Sequence, residues 1–306
     1  MKVAHIIIFH EDAILIERLV RSMAHPDFDF YLHLDRKVDI VPFKKLSLLP
    51  NVFFIRKRKK VSWGGYSQVE AITNSLEQIF ENGTPAYDFI NLLSGQDYPI
   101  KTTAFIHSFL LNNLGRSFLM SETPPSAWWE HAVLRFTRYH FVEYGFRGRY
   151  RLADVFSKLL PRRKFPLPGK LYGGPDGAYW ILSADAAKYA WTILKKRDRR
   201  WWFFKHTWGP DEFLINTILM NSPFAESIIN ENYHFIDRSQ GSTRPKTLTS
   251  GDFNALQQSN KFFARKFDRK LDAEVLDRID KELLFLPGTV NVSPENKQDN
   301  IKIQSF

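Results

Sequence analysis

Pro210-Asp211-Glu212 runs directly into the apolar-periodic stretch Phe213-Leu214-Ile215-Asn216-Thr217-Ile218-Leu219, which places Glu212 as a carboxylate in the opening turn of a predicted helix. Proline suits a first helical position, and acids there are favoured by the helix dipole. A Glu aimed into a cleft, its pKa raised by partial desolvation, can serve as a general base. The same residues also make an ordinary acidic helix start, so the distinction rests on the rest of the chain. Four further segments carry side chains suited to chemistry: His33-Leu34-Asp35-Arg36-Lys37, Ser62-Trp63-Gly64-Gly65, Ser94-Gly95-Gln96-Asp97-Tyr98-Pro99-Ile100-Lys101 and Phe263-Ala264-Arg265-Lys266-Phe267-Asp268. Two of them offer exposed or cationic groups, and one offers glycines that let a backbone approach a ligand closely.

In this order and these surroundings the five segments resemble the Core-2/I-branching β-1,6-N-acetylglucosaminyltransferases and the related peptide O-xylosyltransferases, glycosyltransferase family 14, in a short bacterial-type form. The resemblance runs from about Val3 to about Asp268. It implies an α/β chain with a modified GT-A glycosyltransferase fold, a mostly parallel central sheet flanked by helices. It also implies an inverting transfer of GlcNAc or xylose from a UDP-sugar to a glycan hydroxyl, forming a β-linkage, with no cofactor and no metal. Under it Glu212 is the catalytic base; Asp35 and Trp63 belong to the nucleotide region, and Lys266 and Arg244 meet the diphosphate. Glu122, Arg138 and Trp180 fall near the sugars.

Each assignment has a plainer counterpart in the residues themselves. Asp35 can start a turn, Gly64-Gly65 can simply build a loop, Trp180 in Gly177-Ala178-Tyr179-Trp180 can be core, and Lys266 and Arg244 can be surface charge. Asp97 can hold the backbone or contact the donor; the first role is the preferred reading. Arg238 or Lys246 can stand in for Arg244. An Asp-x-Asp pair at a strand end, the usual cation holder, is missing: Asp27-Phe28-Asp29 has the spacing but precedes its strand.

The chain has 306 residues, 44% of them hydrophobic, enough for one large domain or two closely joined lobes. The expected division is a single transferase domain over 1–290, with 1–120 mainly nucleotide-binding and 121–290 carrying the acceptor and catalytic half. A flexible tail follows over 291–306. The absence of cysteine excludes disulfides and thiolate metal sites. A formal charge of +10 suits an anionic partner: nucleotide-sugar phosphates, an anionic membrane or nucleic acid. No nucleic-acid-binding motif accompanies it, and a nucleic-acid binder leaves the carboxylate motif unexplained. A catalytically inactive sugar-binding relative is the other alternative.

Val3 to Phe9 reads as a buried strand and not a signal sequence, and no apolar run reaches the roughly 20 residues of a membrane span. A cytoplasmic enzyme, peripheral on the inner face of the membrane, is the expected setting. Strands at 28–34, 52–55 and 87–93 alternate with helices at 13–23, 68–80 and 102–111, which predicts ligands at the carboxyl ends of parallel strands. A strand is expected at 179–182, helices at 184–194 and 210–219, and a short strand at 234–236. The middle, 124–170, reads as a loop-rich insertion. Within it Leu152, Val155, Phe156, Leu159 and Leu160 form one helical face among Arg147, Arg149, Arg151, Lys158, Arg162, Arg163 and Lys164. That face suits either an anionic bilayer, beside a glycan or glycolipid acceptor, or the enzyme's own core.

Overall fold

The computed structural model describes residues 1–81, 86–196, 198–240 and 244–286; the tail expected over 291–306 lies outside them. The central strand β1 (Val3–Phe9) is buried along its whole length, so both faces must be covered. Its alternate residues do this separately. Val3, Ile7 and Phe9 join one core, with Leu15, Ile16 and Leu19 of α1 (Ala13–Ser22). Ala4, Ile6 and Ile8 join the other, with Val69, Ile72 and Leu76 of α2 (Ser67–Glu81). The period of two along the strand thus builds a sheet sandwiched between helices.

β1 pairs in parallel with β2 (Phe28–Leu34) on one side and β4 (Phe89–Ser94) on the other. β3 (Val52–Phe54) adds in parallel to β2. Beyond β4 lie β7 (Trp180–Ser183), β6 (Ser117–Leu119) and β8 (Ile228–Ile229), giving the order β3-β2-β1-β4-β7-β6-β8. β7 runs antiparallel to both its neighbours, so the sheet is mixed but mostly parallel. The helices α3 (Thr103–Leu111) and α7 (Ala184–Leu194) match the sequence reading.

The sequence pattern did not predict a second sheet of β5 (Asp97–Pro99), β9 (His234–Ile236) and β10 (Phe263–Arg265), ordered β5-β10-β9. Each of its strands has three residues, too few to show periodicity, and of them only 234–236 was expected from the sequence. It begins directly after β4 and so sits at the edge where the parallel strands end.

The middle of the chain forms α4 (Ala127–Ala132), α5 (Leu134–Thr137) and α6 (Arg149–Leu159). After β7 and α7 comes α8 (Arg199–Lys205), then α9 (Leu214–Met220). The expected continuous helix 210–219 is divided. Pro210–Glu212 form a 3-10 turn, and Phe213, at φ −148°, breaks the path before α9. Several basic residues of the 56–60 cluster are held by the protein's own groups: Lys57 pairs with Glu77 at 2.9 Å and Lys59 with Glu70 at 2.6 Å, while Arg58 donates to the Val38 carbonyl.

Candidate active site

Glu212 lies between two arms of the fold. Its carbonyl accepts from the Gly174 amide at 3.1 Å, and Gly177 packs so tightly beneath it that a Cβ there would approach the carbonyl oxygen to 2.6 Å. Any larger residue at 177 has to displace the backbone that carries the carboxylate. On the other side the Glu212 carboxylate accepts from Arg135 of α5. That guanidinium lies between two indoles, 4.9 Å from the Trp128 ring and 4.3 Å from the Trp208 ring. The Trp208 amide in turn donates to the Arg135 carbonyl at 3.0 Å. Stacking of a planar cation on aromatic faces fixes its direction, so Arg135 reaches Glu212 as a pre-set partner.

Glu212 retains 23% side-chain accessibility. Its carboxyl is held above the ordinary range by desolvation, which outweighs the opposing pull of Arg135. The helix-dipole account therefore gives way to burial, since Glu212 precedes α9 and is not part of it. Its neighbour Asp211 is pushed up to about 7, first by burial and then by the charge of Glu212. Its Oδ1 is buried without a hydrogen-bond partner among the described residues.

A native carboxyl that titrates near 7 holds its proton more tightly than the unfolded chain. The stability Asp211 contributes is therefore greatest below its unfolded value of about 4 and is lost as pH rises through about 7. Asp211→Asn, which does not titrate, is expected to gain thermal stability relative to the parent across that interval. Unfolding midpoints at stepped pH measure it; a constant difference across the window would mean that Asp211 is ionised and solvated in the native state.

The tryptophan turn also belongs here. Trp63 is 61% exposed, packs edge-to-face on Trp208 at 5.4 Å, and lies under the Arg244 guanidinium, also 5.4 Å away. Gly64, at φ +71°, lets the turn pass beneath Trp208, because a Cβ there would come within 2.9 Å of its Nε1. Arg244 and Trp63 thus join Trp208, Arg135 and Glu212 in one chain of contacts. Asp35 closes β2, is buried, and accepts from the Lys37 amide at 2.9 Å and the Val61 amide at 3.3 Å. Its contacts hold the strand that leads to the tryptophan turn.

Asp97 is also fully buried and accepts from the Ser94 amide at 2.7 Å, the Ser94 hydroxyl at 2.7 Å and Arg265 at 2.9 Å. Arg265 in turn stacks on Tyr179 at 4.3 Å. This network ties the end of β4 to β10 and leaves Asp97 committed to structure. Lys266 follows β10 half-buried. Its carbonyl accepts from Leu248 at 2.9 Å, and its ammonium meets no carboxylate among the described residues. Arg238 is bound to Asp176 at 2.8 Å and Lys246 to Asp252 at 2.5 Å, so both possible stand-ins for Arg244 are already paired.

Glu122 bridges to Gly173, its amide 2.8 Å from that carbonyl, and its side chain lies against Gly174, whose amide supports Glu212. Of the other two residues expected near the sugars, one is exposed and one is buried. Arg138 ends α5 exposed, and the arginine that reaches Glu212 is Arg135, one helical turn earlier. Trp180 is a core residue of β7, buried between neighbouring elements, with no face open to a ligand. Arg135, Trp128, Trp208, Arg265 and Asp211 had no role assigned from sequence. The only signal for Arg135 was its place beside Arg138, and the sequence offers no rule for which of the two turns inward. Asp27-Phe28-Asp29 lies at the opposite, amino-terminal end of β2, where Asp29 accepts from Tyr87 at 2.6 Å and Asp27 pairs with His107 at 2.8 Å.

The profile of the Core-2/I-branching enzyme family matches residues 3–263. Xylosyltransferase 2 of Canis lupus familiaris is 27% identical over 94% of this chain and 35% of its own length. A β-1,3-galactosyl-O-glycosyl-glycoprotein β-1,6-N-acetylglucosaminyltransferase 3 of Mus musculus is 27% identical over 92% of this chain and 68% of its own. The chain therefore spans about a third of the length of the xylosyltransferases it matches. Among solved structures, the apo form of the bifunctional glycosyltransferase WbbM covers 86% of this chain and 45% of its own, at 12% identity and a TM-score of 0.39. The protein belongs to the Core-2/I-branching enzyme family, and its matched relatives are glycosyltransferases.

Proposed function

We propose that this chain is an inverting glycosyltransferase that moves GlcNAc or xylose from a UDP-sugar to a glycan hydroxyl without a metal ion. The observation that carries the reading is Glu212: a partly accessible carboxylate, raised by desolvation, set by Arg135 and by a glycine-lined backbone seat. In the reaction the acceptor oxygen attacks the anomeric carbon from the face opposite the nucleotide. Its proton passes to Glu212, and the bond from that carbon to the β-phosphate oxygen breaks, leaving the electron pair on UDP. Inversion needs one base and one stabilised leaving group. An α-linked donor then gives a β-linked product.

The leaving diphosphate is offset by Lys266 and Arg244, whose fixed cations supply the charge-assisted contacts that a divalent ion supplies elsewhere. Asp35 and Trp63 serve the nucleotide side, and Glu122 the acceptor side. The name of the mouse relative supports GlcNAc and that of the dog relative supports xylose as donor sugar.

A panel of UDP-sugars, incubated with the purified protein and a glycan acceptor, tests this through UDP release. UDP is expected to appear with UDP-GlcNAc or UDP-xylose and to persist in excess EDTA. Release that stops with chelator and returns with manganese would replace the cationic leaving-group site by a metal site. No release with any donor would sink the transferase reading and favour a sugar-binding protein.

A further inference from the structure

The α6 segment carries an apolar face that the fold covers only in part. Leu152, Val155, Phe156, Leu159 and Leu160 recur at helical spacing, and their exposure runs from 38% at Leu152 to 78% at Leu159. None of the helix's residues is buried. Two residues tie the helix to the body: Ser157 accepts from the Tyr139 amide at 3.0 Å and donates to the Ala153 carbonyl, and the Phe156 ring packs edge-on against Tyr139 and Phe141 at 6.1 and 5.6 Å. Phe156 is thus shared with the body, while Leu152, Val155, Leu159 and Leu160 remain 38–78% exposed. Contiguous exposed apolar area of this kind marks an interaction surface.

Charge selects its partner. Arg147, Arg151, Arg162 and Lys164 are exposed around this face, and none is in an ion pair with a described residue. Lys158 is paired with Asp154 at 2.6 Å, the single acid between Arg147 and Lys164. Arg163, by contrast, is buried and donates to the Arg138 carbonyl at 2.9 Å, so it anchors the segment and does not belong to the charged rim. Cations at both ends of an apolar helical face match a surface with acidic headgroups above hydrocarbon. A helix of 11 residues, about 16 Å long, can lie flat in that boundary but not cross it.

We infer that α6 and its flanking cations form a docking surface for an anionic lipid bilayer. The segment is joined to the elements of the candidate site. Arg135 lies in α5, the helix before it, and Glu143 in the intervening loop accepts from the Ser67 amide at 2.6 Å, beside the tryptophan turn. On the transfer reading above, this placement suits an acceptor sugar borne on a lipid or held close to the bilayer.

Co-sedimentation of the full chain with vesicles tests the surface independently of catalysis. Vesicles of phosphatidylcholine with phosphatidylglycerol at about one lipid in three are expected to bind it at low salt, and pure phosphatidylcholine to bind it weakly. Val155→Glu with Leu159→Glu should lower binding at least about tenfold with little change in the unfolding midpoint, because both side chains are exposed, at 46% and 78%. Glu212→Gln should bind as the parent does, so failure of the transferase reading leaves this result intact. Absence of binding to anionic vesicles, or equal binding by the double variant, overturns the proposal. So does a concentration-dependent dimer that the double variant abolishes, which would assign the face to a second copy of the chain.

Discussion

Glu212→Gln is expected to lower turnover by roughly 100- to 10,000-fold, the usual contribution of a positioned general base, while donor binding and fold persist. Gln preserves the volume and can still accept from Arg135, whose guanidinium is held independently by Trp128 and Trp208. The seat under residue 212 is made by backbone and by glycine, so it does not depend on the carboxylate. What is lost is the capacity to take the acceptor proton. The parent's turnover should rise with pH through the raised Glu212 pKa, placing its acid limb above the ordinary Glu value of about 4.3. In the variant that limb should vanish along with the activity. Steady-state rates and UDP affinity, measured on the same preparations, separate the two effects. A variant that transfers at near-native rate moves the base elsewhere, and Asp211, adjacent and pushed up to about 7, is then the group to test.

The parallel core was legible because its physics is local and periodic. β1 is apolar apart from the buried His5, as a strand covered on both faces is expected to be, and Val69, Ile72, Leu76 and Ile79 mark the inner side of α2. Asp35 and the Ser94 turn could be placed at strand ends for the same reason. What was not legible depends on which way a side chain turns after long-range packing. Arg135 lies in a short helix and Arg138 caps its end, and the stacking of Trp128 and of Trp208, the latter more than 70 residues later in sequence, directs Arg135 to Glu212. Trp180 shows the converse. The glycine-aromatic pattern was real, but its glycine, Gly177, serves the Glu212 backbone while its tryptophan serves the core. The helix expected from Pro210 broke at Phe213 because the Gly173 and Gly177 contacts fix the chain there, an interaction invisible to local propensity.

Lys266→Ala is expected to cost roughly 100- to 1,000-fold in turnover, the usual loss when one donor to developing negative charge is removed. On the proposed function, charge accumulates on the β-phosphate as the anomeric bond stretches, so an ammonium brought there acts more strongly on the transition state than on bound UDP-sugar. Lys266 suits the role because its ammonium meets no carboxylate among the described residues, whereas Arg238 is committed to Asp176 and Lys246 to Asp252. Arg265 cannot take over, since Asp97 and Tyr179 already hold it. Lys266→Arg, which keeps the charge and loses the point geometry, should fall between parent and alanine variant. Lys270→Ala, at an exposed cation a few residues away, should be silent and controls for general loss of charge. The decisive quantity is how the loss divides between kcat and KM. A rise in KM with kcat preserved would make Lys266 a ground-state contact of the nucleotide, and the stabilisation of departing UDP would then fall to Arg244 over Trp63.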